Sequence, residues 1–262
     1  MSYSNPAAYQ RFMGRWSARL APAFVRFAGL RDGQQIMDVG CGTGSLSRAL
    51  VSLAPHIIVT GLDPAPSYVA YARDAVVDAR VQFQTGVAET LPFSDKTFDA
   101  ALALLVVQDF SDAGRAVSEM ARVTRRNGPV AACQWDFEAG LPMLSLLWQA
   151  AEAVAPEAVS QHRRATSGSC GATLQDLENL WRSCGLSQIE SAVLELPMYF
   201  LSFDDYWQPF LGKSTPTSAF ATEIDARTRG ALARVLRERM PGVQLDGSFV
   251  LPARASAIKG MA

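Results

Sequence analysis

The chain has 262 residues, a length that predicts one domain with an insertion, built on one large core or on a core with a small appended lobe, and its 49% hydrophobic and 19% charged residues are typical of a globular protein. Its 24 lysines and arginines nearly balance its 25 aspartates and glutamates, so no overall positive field favours nucleic acid as a partner. The N-terminus lacks a basic-then-apolar targeting pattern, and no segment reaches the roughly 18 apolar residues of a membrane span, which predicts a cytoplasmic protein.

Cysteine and histidine are too sparse to predict a metal centre or a disulfide framework. The four cysteines form no CxxC spacing, and we interpret them as small core residues or reduced thiols. The two histidines, His56 and His162, are too few for a histidine-rich metal site and lie far from any serine or cysteine elbow pattern.

Apolar runs alternate with helical patterns along the first half of the chain. Residues 15–29 carry large apolar side chains at helical spacing, and 36–39 follow as the first strand. Continuous apolar strands separated by crossover helices predict a parallel sheet covered on both faces. The next predicted elements are helix 46–54, strand 57–63, helix 67–77, strand 81–86, strand 98–106, helix 112–126 and strand 129–137.

The pattern is less regular after the fifth strand. Residues 155–172 contain one proline and two glycines and predict a loop. We expect residues 197–245, between the last two strands, to form a cap insertion over a pocket, with aromatic residues that either line an apolar wall or pack within that lobe. These aromatic residues are Tyr199, Phe203, Tyr206, Trp207 and Phe210. The remaining predicted elements are helix 142–154, helix 173–185, strand 189–200, helix 222–239 and strand 248–260.

The turn after the first strand reads DVGCGTG. Gly40, Gly42 and Gly44 give the spacing GxGxG, whereas dinucleotide-binding turns read GxGxxG and place a pyrophosphate at the helix N-terminus. Asp38, two residues before the first glycine, would repel a pyrophosphate and favour a ligand with an ammonium group. The glycines let such a ligand lie against the backbone. These features predict S-adenosylmethionine, which has a sulfonium centre, an amino-acid end and an adenosine end.

Asp63 ends the second strand, where nucleotide-binding folds often place an acid. An acid at this position can accept hydrogen bonds from both ribose hydroxyls, which supports an adenosine ligand without separating S-adenosylmethionine from NAD. The alternative is a surface acid that caps the helix after Pro64.

Four stretches resemble one known family. DVGCGTG, LDPAPSYVAYAR, GVAETLPFSDKTFDAALALLVVQDF and EMARVTRRNGPVAACQWDF are similar to the class I S-adenosylmethionine-dependent methyltransferases. More narrowly, they resemble the small-molecule branch that includes the ubiquinone and menaquinone C-methyltransferases. The resemblance covers about residues 8–137. It implies an α/β, Rossmann-like, doubly wound sheet of seven strands, mainly parallel with an antiparallel last strand, and methyl transfer to a small organic acceptor.

The resemblance also implies roles for individual residues. Asp38 and Gly40 would contact the methionyl end of the cofactor, Asp63 the ribose and Pro64 the adenine face. The glycines Gly42 and Gly44 would complete the cofactor-binding turn.

Residues near the third and fourth strands would complete the cofactor site. Ala88 and Glu89 match a stretch that commonly contacts the adenine, although Val87 stands where an acid is usual. Val106 matches a position that lines the methyl-transfer pocket. Many relatives have histidines next, and this chain has none there, which leaves Asp109 and His162 as candidates for a general base.

The segment YQRFMGRWS resembles a part of these enzymes that lies over the cofactor, so residues 1–30 are expected to cover the site. Tyr9, Arg15 and Trp16 are the candidates for closing it, with Arg15 set against the cofactor carboxylate. A plain core position is the alternative for Trp16.

Three other functions stay open at this stage. A nucleotide-dependent oxidoreductase is disfavoured by the glycine spacing and by Asp38. A protein that binds the cofactor without turnover is compatible with Val87 and with the missing histidines. Methylation of RNA or protein is disfavoured by the balanced charge. The sequence fixes neither the acceptor nor whether carbon, nitrogen or oxygen is methylated.

Overall fold

The computed structural model of the protein describes residues 5–137, 139–166, 173–212 and 215–262. Its centre is a seven-stranded sheet. The strands are β1 (Gln35–Val39), β2 (Ile58–Asp63), β3 (Val81–Thr85), β4 (Ala100–Leu104), β5 (Pro129–Trp135), β6 (Ser187–Phe200) and β7 (Phe249–Met261). Their order in the sheet is β3-β2-β1-β4-β5-β7-β6.

The first five strands are parallel, and the last strand is reversed. β1 lies between β2 and β4, so that Met37 faces Thr60 on one side and Ala101 on the other. β7 pairs antiparallel with both β5 and β6. The predicted sheet, mainly parallel with an antiparallel last strand, is therefore confirmed.

Helices cover both faces of the sheet. The α-helices among the described residues are α1 (Pro6–Tyr9), α2 (Arg15–Ala28), α3 (Ser45–Leu53), α4 (Pro66–Ala75), α5 (Ala113–Val123), α6 (Pro142–Val154), α7 (Pro156–Thr166), α8 (Leu174–Ser183), α9 (Phe203–Trp207), α10 (Pro216–Glu223) and α11 (Ala226–Arg239). Side chains of a strand alternate between faces, so Ile36 packs with α2 and α3 while Met37 and Val39 pack with α5 and α8. None of the described helices combines the length and the apolar character that a membrane span requires.

Two predictions for the second half of the chain were wrong. Residues 156–166 form α7 rather than a loop, because a proline at the first position of a helix loses no backbone hydrogen bond. The glycines of that predicted loop lie outside the described residues. The predicted helix 222–239 was wrong at its N-terminal end: it is α11, which begins at Ala226 because the Asp225 side chain caps it by accepting hydrogen bonds from the backbone N–H groups of Arg227 and Thr228, and a separate helix, α10, precedes it.

The insertion between β6 and β7 contains α9, α10 and α11. It packs on α6, where the Tyr206 hydroxyl donates a hydrogen bond of 2.8 Å to the Met143 carbonyl oxygen. It also packs on the N-terminal segment, where the rings of Phe210 and Phe12 lie 4.9 Å apart. The insertion is therefore joined to the rest of the protein by buried aromatic contacts.

Candidate active site

A cleft of about 1030 Å³ opens at the carboxyl ends of β1, β2, β3 and β4. In open α/β sheets, this is the edge at which ligands bind. The volume reaches the upper end of the range of about 300 to 1,000 Å³ that is usual for small-molecule sites. The cleft therefore has room for a cofactor and a small acceptor together.

The glycine turn forms one wall of the cleft. Gly40 has a φ of 71°, and a Cβ atom placed on it would lie 2.5 Å from a methyl carbon of Val106. Its N–H group and that of Cys41 both donate to the Leu62 carbonyl oxygen, at 2.8 and 3.0 Å. A residue with a side chain at position 40 would therefore need both a strained backbone and a displaced Val106.

Asp38 lines the cleft beneath this turn and is only 1% exposed. Its Oδ2 atom accepts a hydrogen bond of 2.6 Å from the Ser47 hydroxyl, whereas Oδ1 is buried and has no partner among the described residues. Burial raises the pKa of the Asp38 carboxyl to about 7. A buried carboxylate oxygen without a donor is costly, so this geometry favours a cationic donor supplied by a ligand.

The first turn of α3 supplies the opposite polarity. Gly44 precedes this helix and offers no capping side chain, and Ser45 and Leu46 of its first turn line the cleft. The first N–H groups of a helix lack internal partners and attract an anion. The unpartnered Oδ1 atom of Asp38 and an uncapped helix N-terminus at one end of the cleft together fit the ammonium and carboxylate groups of an amino acid.

Asp63 lies at the end of β2, is 8% exposed and lines the cleft. Its two oxygens accept hydrogen bonds from the backbone N–H groups of Gly42 and Ala65, both at 2.9 Å. The alternative of a surface acid that caps the next helix is wrong, because Asp63 is buried and no side chain caps α4. Each oxygen keeps a lone pair for a further donor, such as a ribose hydroxyl.

The other predicted residues near the strand ends also line the cleft. They are Gly40, Gly42, Pro64, Val87, Ala88, Glu89, Val106 and Asp109. Gly44 precedes α3 behind this surface, with Val76 and Phe83 against its Cα. Glu89 holds the loop after β4, because its Oε1 atom accepts hydrogen bonds from the backbone N–H and the hydroxyl of Ser111. Although burial alone would raise the pKa of Glu89, these hydrogen bonds lower it, so the side chain is ionised.

The N-terminal segment contributes one predicted residue to the cleft and not the other two. Tyr9 lines it, and its ring lies 5.6 Å from that of Tyr68 in an edge-on arrangement. Arg15 is instead paired with Asp205, 2.6 Å from its carboxylate. Trp16 is fully buried and packs on Phe200, 5.1 Å away, in agreement with the core alternative. The prediction that Arg15 and Trp16 close the cofactor site is therefore corrected.

The second candidate base lies elsewhere. His162 is on α7, with its ring 5.4 Å from those of Trp148 and Phe220, and it is not among the residues that line the cleft. Partial burial lowers its pKa, which favours the neutral ring. His162 is thus a packing residue and is dropped as a candidate base.

The aromatic residues of the insertion do not line the cleft either. Tyr206, Trp207 and Phe210 are buried in the core, and Tyr199 is 55% exposed on β6. Packing within the lobe, the second alternative, describes Tyr206, Trp207 and Phe210. A cap that closes over an acceptor stays a prediction.

Several lining residues were missed by the sequence analysis. They include Ser17, Thr43, Tyr68, Leu105, Gln108 and Ser111. Tyr68 was detectable, because it falls in the first turn of the helix that follows Asp63. Leu105 was not, since its φ of 60° is unusual for a residue with a side chain, and its N–H group donates a hydrogen bond to the carbonyl oxygen of Cys133, far along the chain.

Comparisons with known proteins agree with this geometry. Residues 37–132 match a family model described as a methyltransferase domain. An uncharacterized protein of Mycobacterium tuberculosis is 33% identical over 121 residues, which are 46% of this chain and 44% of that protein. The malonyl-[acyl-carrier protein] O-methyltransferase of Erwinia billingiae is 34% identical over 155 residues, 59% of this chain and 57% of that enzyme. The chain thus spans less than two thirds of the length of these curated relatives.

A solved structure extends the likeness to the whole fold. The phosphoethanolamine N-methyltransferase 2 of Haemonchus contortus, in complex with S-adenosyl-L-methionine, superposes with a TM-score of 0.62 at 15% identity, covering 99% of this chain and 57% of that one. Residues 37–132, the segment that the family model matches, contain the glycine turn, Asp63, Glu89 and Val106. Residues 37–132 therefore match a methyltransferase domain, and the fold of the chain is similar to that of the Haemonchus N-methyltransferase.

Proposed function

We propose that this protein transfers a methyl group from S-adenosylmethionine to a small organic acceptor. The observation that carries the proposal is the buried Oδ1 atom of Asp38, which has no partner among the described residues and lies beside an uncapped helix N-terminus. This pair of opposite polarities fits the amino-acid end of the cofactor, and the sulfonium centre adds to the attraction of the anionic cleft. A cytoplasmic location stays a prediction.

The remaining cleft residues are assigned from that end. Asp63 would accept hydrogen bonds from the ribose hydroxyls, and Pro64 and Ala88 would contact the adenine. Glu89 acts by holding the loop after β4 against this site, because its carboxylate is already engaged by Ser111. The bound cofactor of the Haemonchus enzyme supports this choice of ligand, as does the methyltransferase domain in residues 37–132.

The chemistry requires mainly alignment. S-adenosylmethionine supplies a methyl group on a positively charged sulfur that is already activated for displacement. The protein's residues then have to hold the acceptor in line with that methyl group and keep water out. Tyr9 and Tyr68, whose rings are in contact, would cover a ligand in the cleft. The Val106 side chain lies against Gly40 and would form the bottom of the cleft.

A nucleotide-dependent oxidoreductase is not favoured. Its pyrophosphate would also meet the N-terminus of α3, but its negative charges would lie close to the carboxylates of Asp38 and Asp63 at the same wall of the cleft. No residue of the glycine turn supplies a positive side chain to offset this repulsion.

The test is release of S-adenosylhomocysteine, measured by mass spectrometry with S-adenosylmethionine and a panel of amines, phenols and quinone precursors. We expect release with at least one class, and loss of release in Asp38→Asn. The matched control is Asp74→Asn, which removes an exposed carboxylate of α4 outside the cleft. Tight cofactor binding with no release for any acceptor would contradict the proposal and favour a binding protein without turnover.

A further inference from the structure

The charges around the cleft are of one sign. Four carboxylate side chains line it, and among the described residues no lysine, arginine or histidine does. The four are Asp38, Asp63, Glu89 and Asp109. The chain as a whole has almost balanced charge, so this asymmetry is a local property of the cleft.

The cofactor offsets only part of this charge. S-adenosylmethionine carries two positive groups and one carboxylate, which leaves a single net positive charge. A cleft with its cofactor bound therefore still presents a negative field to the acceptor, and low-dielectric walls strengthen such a field. A carboxylate or phosphate on the acceptor would be repelled, whereas a cationic acceptor would be attracted.

The hydrogen-bonding groups after β4 also favour a cationic acceptor. The Gln108 side-chain nitrogen donates to the Leu105 carbonyl oxygen at 2.9 Å and to Oδ2 of Asp109 at 3.1 Å. Both of its N–H groups are thereby used, while its Oε1 atom is buried and has no partner among the described residues. At this end of the cleft, Gln108 and Asp109 thus offer oxygen acceptors to a ligand that brings N–H donors.

We infer that the methyl acceptor is an amine, held with its nitrogen toward Oε1 of Gln108 and the carboxylate of Asp109. The inference rests on the proposed function and names its substrate class. Gln108 is the specificity-determining residue in this arrangement, because its oxygen would be left buried and unpaired beside an acceptor without donors. Tyr9, Tyr68 and Phe110, which also line the cleft, add aromatic surface that suits a cation.

The transfer step balances without a further reagent. An ammonium group first releases one proton to solvent, since only the neutral amine has a lone pair. That lone pair forms the new carbon–nitrogen bond, and the carbon–sulfur bond breaks with its electron pair left on sulfur. The methylated nitrogen is then positively charged, and the carboxylate of Asp109 stabilises it until it leaves or loses a proton to water.

The experiment uses three probes of similar size and different charge. Calorimetry first measures binding of S-adenosylhomocysteine to the full chain, and the loaded protein is then titrated with benzylamine, benzyl alcohol and benzoate. We expect benzylamine to bind more tightly than benzoate by at least about tenfold, with the alcohol between them. Added salt should reduce this ratio.

Two variants separate the local effect from overall charge. Asp109→Asn should reduce the ratio of benzylamine to benzoate affinity by about threefold or more, and Asp74→Asn, with the same change in net charge, should leave it unaltered. Equal affinity for the two ions, preference for benzoate, or no binding of any probe to the loaded protein would overturn the inference. Failure of S-adenosylhomocysteine itself to bind would instead overturn the proposed function.

Discussion

The two halves of this protein do different work. All lining residues of the cleft except Tyr9 and Ser17 fall between Asp38 and Ser111, at the carboxyl ends of four parallel strands and in the loops and helical turns that follow them. The helices between β5 and β7, in contrast, contribute buried aromatic side chains to the core. We therefore expect ligand binding to depend on the strand ends and following turns of the first half, and the described helices of the second half to affect stability. Substitutions can therefore be chosen to affect one property and not the other.

The largest effect is expected from Gly40→Ala. Alanine at this position would have to adopt an unfavourable positive φ, and its methyl group would collide with Val106. We therefore expect affinity for S-adenosylhomocysteine to fall by at least about a hundredfold. Calorimetric titration measures this. The control is Gly33→Ala, which has the same type of backbone strain, with a φ of 81°, but open space around it. Equal loss of affinity in both variants would contradict a specific role for the glycine turn.

Asp38→Asn should separate binding from stability. In the unliganded protein, the raised pKa means that the folded state holds a proton that the unfolded state has released between about pH 4 and pH 7. Stability therefore falls as pH rises through this window, by an upper limit of about 4 kcal/mol, and stays low above it. The variant should lose cofactor affinity yet be more stable at pH 8, as measured by urea unfolding. A variant that is less stable at pH 8 would show that burial of the ionised Asp38 carboxylate does not destabilise the folded protein.

The same residue predicts a pH dependence of binding. The ammonium group of the ligand favours the ionised form of Asp38, so affinity for S-adenosylhomocysteine should decrease as pH falls below about 7. Titrations from pH 5.5 to 8.5 would show this, and the slope should disappear in Asp38→Asn. A flat profile in the unmodified protein would count against contact between Asp38 and the ammonium group.

Arg15→Ala tests the contact between the N-terminal helix α2 and the insertion. Arg15 pairs with Asp205 and lies over the Trp16 ring, so its removal should cost about 1 kcal/mol of unfolding free energy, discounted for partial exposure. Affinity for S-adenosylhomocysteine should stay within about twofold of the unmodified protein. Arg11→Ala, at an exposed position, is the control. A large loss of cofactor affinity in Arg15→Ala would restore the role that the family resemblance implies.

The smallest effect on cofactor binding is expected from Tyr206→Phe. The substitution removes one buried hydrogen bond to the Met143 carbonyl oxygen and should cost about 1 kcal/mol in stability, measured by urea unfolding. Cofactor binding should be unchanged, since Tyr206 does not line the cleft. Weaker binding at unchanged stability would show that the insertion contacts the ligand.

The same contrast explains what could be predicted from the sequence. The glycine turn and the strand-end acids can be recognised from short sequence motifs, because a turn of this kind needs those residues at that spacing. Asp38, Asp63, Glu89 and Val106 do line the cleft. The roles of Arg15 and His162 depended on partners far along the chain. Asp205 lies 190 residues after Arg15, and no local pattern indicates that Arg15 pairs with Asp205 rather than with the cofactor carboxylate.

The most direct test of the central claim is a pair of calorimetric titrations of the purified chain, one with S-adenosylhomocysteine and one with NADH. If Asp38 pairs with the ammonium group of the ligand, the chain should bind S-adenosylhomocysteine saturably and bind NADH at least about a hundredfold more weakly. Saturable binding of NADH without binding of S-adenosylhomocysteine would contradict the claim.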